Sequence, residues 1–115
     1  MGGLLLAASI LRPAPALAHD VTCFAWSDGD LWVWGSAQFC NGTADSQTVT
    51  STLYKWNGSN YDQESFQWQP CGLCANVETI AGTPPGTGWR WVEGQHYGYH
   101  HNIWYTVTGM EFYRP

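Results

Sequence analysis

The chain has 115 residues, four Lys and Arg against nine Asp and Glu, and a formal charge of −5. That length suits one domain, and so acidic a balance excludes nucleic acid and anionic membrane as partners, since both are held through Lys and Arg. The excess lies in aromatic residues, eight Trp and six Tyr. Set among Thr, Ser, Asn, Gln and Gly, they mark a β-protein with large aromatic surfaces.

The N-terminus reads as a secretory leader. Leu4 to Leu11 is an apolar run too short to span a bilayer, and Ala16-Leu17-Ala18 follows as a small-x-small cleavage signal. The expected organisation is a signal peptide over 1–18 and a single domain over 19–115, exported, with His19 as its first residue and no membrane insertion after cleavage. In the exported compartment Cys23, Cys40, Cys71 and Cys74 read as two disulfides, each worth about 2–4 kcal/mol. If Asp28-Gly29 closes a tight hairpin, Cys23 faces Trp34, and Cys40 lies ~20 Å too far along to reach it. That geometry favours bridges to Cys71 and Cys74, and it fails if residues 27–30 join two sheets. The pairing therefore stays open.

Beyond the leader, period-two alternation recurs and no segment has a helical pattern. Leu31 to Cys40 sets Leu31, Val33, Ala37 and Phe39 against Trp32, Trp34, Ser36 and Gln38. Thr48 to Trp56 sets Val49, Ser51 and Leu53 against Thr48, Thr50, Thr52, Tyr54 and Trp56. Asn57-Gly58-Ser59-Asn60 is a turn leading into a strand over 61–69. A short strand over 77–81 precedes the breaker Gly82-Thr83-Pro84-Pro85-Gly86. Trp89 to Glu93 and Ile103 to Tyr113 complete the set. About six or seven short strands with frequent turns predict a small antiparallel β-sandwich stabilised by disulfides, with a small β-barrel as the alternative.

The leader, the strand Thr48 to Trp56, Cys71-Gly72-Leu73-Cys74 and Gly88-Trp89-Arg90-Trp91 together resemble small exported cysteine-containing proteins of actinobacterial type. The likeness covers about half of the chain. It implies a disulfide-bonded β-sandwich and carries no activity.

Burial of aliphatic side chains drives folding, so the opposite strand faces are expected outside. Those faces carry Trp32, Trp34, Tyr54, Trp56 and Trp104. Indole and phenol rings among Thr, Ser and Gln suit carbohydrate, because a flat ring stacks on a pyranose while hydroxyls and amides bond its edge. The other tryptophans (Trp26, Trp68, Trp89, Trp91) are expected in the core or at hairpin rims. The expected function is a secreted, non-catalytic binding or envelope-associated protein, with a glycan or cell-envelope component as partner and no cofactor.

A second reading is a copper protein. The α-amino group and imidazole of His19 with one of His96, His100 or His101 would form a nitrogen site suited to copper(II). It is similar in outline to exported copper-binding β-sandwiches, including periplasmic carriers and polysaccharide oxygenases. A secreted toxin or antimicrobial factor is a third reading. Cys71-x-x-Cys74 lacks the βαβ setting of a redox motif, and no nucleophile-elbow signature or evident carboxylate pair points to a hydrolase.

Overall fold

The structure is a computed structural model and describes residues 21–115; the expected leader and His19 lie outside the described residues. Five strands follow one another: β1 (Cys23–Gly29), β2 (Val33–Trp56), β3 (Tyr61–Gly82), β4 (Gly88–His100) and β5 (Asn102–Arg114). All pairings are antiparallel and belong to one sheet. The all-β, disulfide-stabilised expectation holds. The arrangement is a single sheet curled into a half-barrel, nearest to the small-barrel alternative. The six strands named from the sequence become four, because 31–40 and 48–56 run on as β2 and 61–69 and 77–81 run on as β3, and β1 makes the fifth.

β2 organises everything else. One of its edges pairs with β3 along its whole length; the other is shared end to end by β1, against Trp34–Cys40, and β4, against Ser46–Lys55. β5 lies beyond β4. The β2–β3 register shifts between Phe39 and Ala44, and such bulges bend a strand and sharpen its twist. The bend brings β1 toward β5, and the two meet through side chains. Ser27 Oγ lies 2.6 Å from Thr108 Oγ1, and the Arg114 guanidinium donates to the Leu31 carbonyl. The Phe112 ring lies on Gly29, where a Cβ would fall 2.3 Å from a ring carbon.

The bulge also reverses which parity of β2 faces inward. After it, Gln47, Val49, Ser51 and Leu53 are buried, as the alternation predicts for that strand. Before it, the expected faces are largely exchanged, although Ala37 is buried as expected. Trp34, Ser36 and Gln38 are buried, whereas Val33 and Phe39 are 41% and 43% exposed. One indole removes more apolar surface from water than a valine, and Trp34 packs with Leu53, Val92 and Phe112 as the apolar core. Its Nε1 donates to the Gly82 carbonyl at 3.2 Å.

Much of the remaining interior is polar and hydrogen-bonded within itself. Gln38 donates to Gln47 Oε1 at 2.6 Å, and Gln47 donates to the Cys74 carbonyl at 2.7 Å. A hydroxyl chain runs from Ser51 through Ser36 and Ser27 to Thr108, and on to His96 Nε2, with contacts between 2.6 and 3.0 Å. Gly94 makes room for it, since a Cβ there would lie 2.4 Å from Ser36 Oγ and 2.5 Å from Ser27 Oγ. Gly94→Ala is therefore expected to lower stability by about 2 kcal/mol through overpacking and broken hydrogen bonds. Thermal unfolding checks this, and an unchanged midpoint would refute it.

The turns decide the disulfides. Asp30 Oδ1 accepts the amides of Trp32 and Val33 at 2.7 and 2.9 Å, and Asp30 N donates to the Val33 carbonyl at 2.9 Å. Those amides hold the Asp30 carboxyl below the usual carboxylate range. The turn thus lies beyond Asp28-Gly29, which corrects the expected register. Cys23 faces Cys40 rather than Trp34, with Cα atoms 3.9 Å apart and a disulfide between them. Cys71 is bridged to Cys74 within β3. No free cysteine remains among the described residues. The Asn57–Asn60 turn forms as expected, with Asn57 Oδ1 accepting Ser59 N and Asn60 N at 2.8 Å and Gly58 at φ +102°.

Candidate functional site

Paired residues on antiparallel strands share a face, so the register assigns the outer surface row by row. At the end of the sheet where β2 stops, Trp56 pairs with Tyr61 of β3, and Trp89 of β4 pairs with Tyr113 of β5. Lys55 pairs with Arg90, so one position further on Trp56 stands beside Trp89. The result is a row of rings (Tyr61, Trp56, Trp89, Tyr113) crossing four strands, ~14 Å from first to last at the spacing of a sheet. A second row behind it reads Gln63, Tyr54, Trp91 and Glu111.

The rings brace one another. Trp56 and Tyr61 meet edge to face with centroids 5.2 Å apart, and Trp89 and Tyr113 do so at 5.1 Å. Trp91 lies against the backbone of Gly109, where a Cβ would fall 2.1 Å from its ring. The Tyr61 hydroxyl donates to Glu111 Oε2. Desolvation first, then that carboxylate, push the phenol up to about 12, so it stays a proton donor. Trp56, Tyr61, Trp89 and Glu111 enclose a shallow hollow of about 280 Å³. On the other flank of Trp56 lies a polar hollow of about 420 Å³, lined by Lys55, Asn57, Asp62, Gln63 and Glu64. Trp56, Trp89 and Tyr113 keep 40–46% of their surface exposed.

Beneath this platform sits an ion pair. Arg90 points inward between the outward Trp89 and Trp91, has no exposed surface, and donates to Glu64 through Nε at 2.7 Å. Its terminal nitrogens reach the carbonyls of Gly86 and Gly88, each at 3.3 Å. One side chain thus ties β4, β3 and the connection between them directly under the rings.

Of the five aromatic residues expected to bind ligand, the structure brings Tyr54 and Trp56 together. Trp32 is 74% exposed but lies in the β1–β2 turn, at the opposite end of β2. Trp34 is core, which corrects its expected place on an exposed face. Trp104 faces inward, its ring over Gly98, where a Cβ would lie 1.9 Å from it. Tyr61, Tyr113 and Glu111 join the platform without having been singled out, and Trp89 and Trp91, expected in the core or at hairpin rims, stand on it. Trp89-Arg90-Trp91 showed the alternation, but only the β2–β4 and β4–β5 registers reveal what stands beside it. Trp26 and Trp68 are also outside, 41% and 62% exposed, with Trp26 packed edge to face on Phe39.

The expected copper site needs His19, which lies outside the described residues, together with one of three histidines that the structure sets in two separate places. His96 is fully buried in the hydroxyl chain, whereas His100 and His101 sit at the β4–β5 turn with ring centroids 4.2 Å apart. His100 Nδ1 lies 3.4 Å from Asp45 Oδ1. No three His, Cys, Asp or Glu side chains among the described residues converge as a metal site. The Glu64 carboxylate is bound to Arg90 and that of Asp30 to the turn amides.

Fold and site together define a small disulfide-bonded all-β protein with an aromatic platform at one end of its sheet. No protein-family model, curated protein or solved structure matches the chain.

Proposed function

We propose that this is a secreted, non-catalytic protein that binds carbohydrate, or a glycan of the cell envelope, on the platform around Trp56 and Trp89. The observation that carries the reading is the row Tyr61, Trp56, Trp89 and Tyr113 across four strands. Rings braced edge to face are already ordered, so little conformational entropy is lost when a sugar face stacks on them. Glu111 and the polar hollow beside Trp56 supply acceptors and donors at the rim, where pyranose hydroxyls would lie. The length of the row favours an oligosaccharide over a single sugar. Export is supported by the leader and by the pairing of all four cysteines, since disulfides persist in oxidising compartments.

The test is a screen of soluble and insoluble polysaccharides by tryptophan fluorescence and pull-down. For whatever glycan binds, Trp56→Ala with Trp89→Ala is expected to weaken affinity at least thirtyfold, about 2 kcal/mol for loss of a central aromatic anchor. Trp32→Ala should leave affinity unchanged. Binding that survives the double change, or is lost with Trp32→Ala, would sink the proposal.

A further inference from the structure

Among the described residues, β3 has β2 on one side and no strand on the other. An open edge of backbone N–H and C=O groups is a template for another strand, and proteins blunt such edges with charges, prolines and bulges. β3 carries these devices at both ends of one short stretch. On one side stand Asp62, Glu64 and the register shift opposite Leu53 and Tyr54. On the other stand Pro70 and the Cys71–Cys74 bridge, with Leu73 at φ +51°. Between them Ser65-Phe66-Gln67-Trp68-Gln69 is regular, uncharged and free of proline, and it holds its register with Val49–Leu53 throughout. Phe66 and Trp68 on its outer face are 54% and 62% exposed.

The geometry points to a second copy of this chain as the occupant of that edge. The stretch is nearly palindromic about Gln67, with an aromatic residue on each side and an uncharged polar residue beyond each. Antiparallel self-pairing on a two-fold axis through Gln67 sets Phe66 of one copy beside Trp68 of the other, twice. Ser65 meets Gln69, and Glu64 meets Pro70, so no like charges stand opposite one another. Two cross-strand aromatic pairs are the favourable unit of a sheet, and the two-fold operator closes the assembly at two copies. Shifting the axis to Phe66 or Trp68 sets one of these rings against Glu64 or Pro70 and loses the double aromatic match. The β2–β3 ladder would then continue across two molecules.

Five paired residues and four rings make a contact at the small end of specific interfaces, so the dimer is expected in the micromolar range. Sedimentation equilibrium of the oxidised protein from about 1 to 500 µM reads it directly. Phe66→Lys and Trp68→Lys, both at exposed positions, should each weaken association at least about tenfold, as loss of a central interface contact does. Ile80→Lys, equally exposed but outside the stretch, should leave it unchanged. A monomer across the whole range would overturn the inference, as would a dimer indifferent to both changes. A dimer lost with Ile80→Lys as readily as with Trp68→Lys would place the contact elsewhere and overturn it too.

Discussion

Arg90→Met is expected to lower the unfolding free energy by about 3–5 kcal/mol, the typical loss when one partner of a buried ion pair is removed. The guanidinium has no exposed surface and the Glu64 side chain retains 21%. Without Arg90 that carboxylate keeps its desolvation and loses its counter-charge, while the Gly86 and Gly88 carbonyls lose a donor. The effect is not carried by packing, because methionine fills most of the same space. Adding Glu64→Gln should therefore restore part of the loss, and the two changes should be non-additive. Urea unfolding measures this through the midpoint at constant slope. A loss below about 1 kcal/mol, or full additivity, would show that the pair is not the tie described here. Since Arg90 sits between Trp89 and Trp91, the same change should also loosen the platform and weaken glycan binding.

Acid should open the seam between β1 and β5. Burial lowers the His96 pKa from its ordinary 6.5 to about 4. Nε2 is engaged by Thr108, and Nδ1 has no acceptor among the described residues. The folded chain therefore holds His96 neutral where the unfolded chain takes up a proton. Stability from this group is complete above pH 6.5 and is lost as the pH falls from 6.5 toward 4. The loss reaches about 3 kcal/mol at the lower end, since each tenfold difference in proton affinity between the folded and unfolded chain is worth about 1.4 kcal/mol. The hydroxyls of Thr108 and Ser27 link His96 to β1, so protonation strikes the contact that holds the half-barrel closed. Urea midpoints between pH 7.5 and 4.5 should fall in the native protein and stay much flatter with His96→Asn. Equal slopes in the two proteins would rule this account out.

The alternation of Thr48 to Trp56 correctly predicted Val49, Ser51 and Leu53 inside and Tyr54 and Trp56 outside, because a half-buried strand separates its faces by residue type. The same reasoning inverted Leu31 to Cys40. Counting aliphatic residues ignored Trp34, whose indole outweighs a valine, and nothing local announced the bulge that changes parity in the middle of β2. The Asn57–Asn60 turn was legible because its amide side chain and glycine satisfy the turn locally. The β1–β2 turn was misplaced because Asp28-Gly29 imitates the signal, while Asp30 does the capping. A displacement of a few residues moved Cys40 from out of reach of Cys23 to directly opposite it.

By itself, then, the sequence determined the class of this protein: an acidic, disulfide-bearing, antiparallel β-domain rich in aromatic residues, with Tyr54 and Trp56 on an exposed face. Those are consequences of composition and of period-two patterning, which act within one strand. Only the tertiary structure decided which rings stand together, which cysteines pair and which histidine is buried. Each depends on register between strands far apart in the chain. A change of one residue in register exchanges the two faces of a strand. The platform exists because Lys55 meets Arg90 and Gly88 meets Arg114.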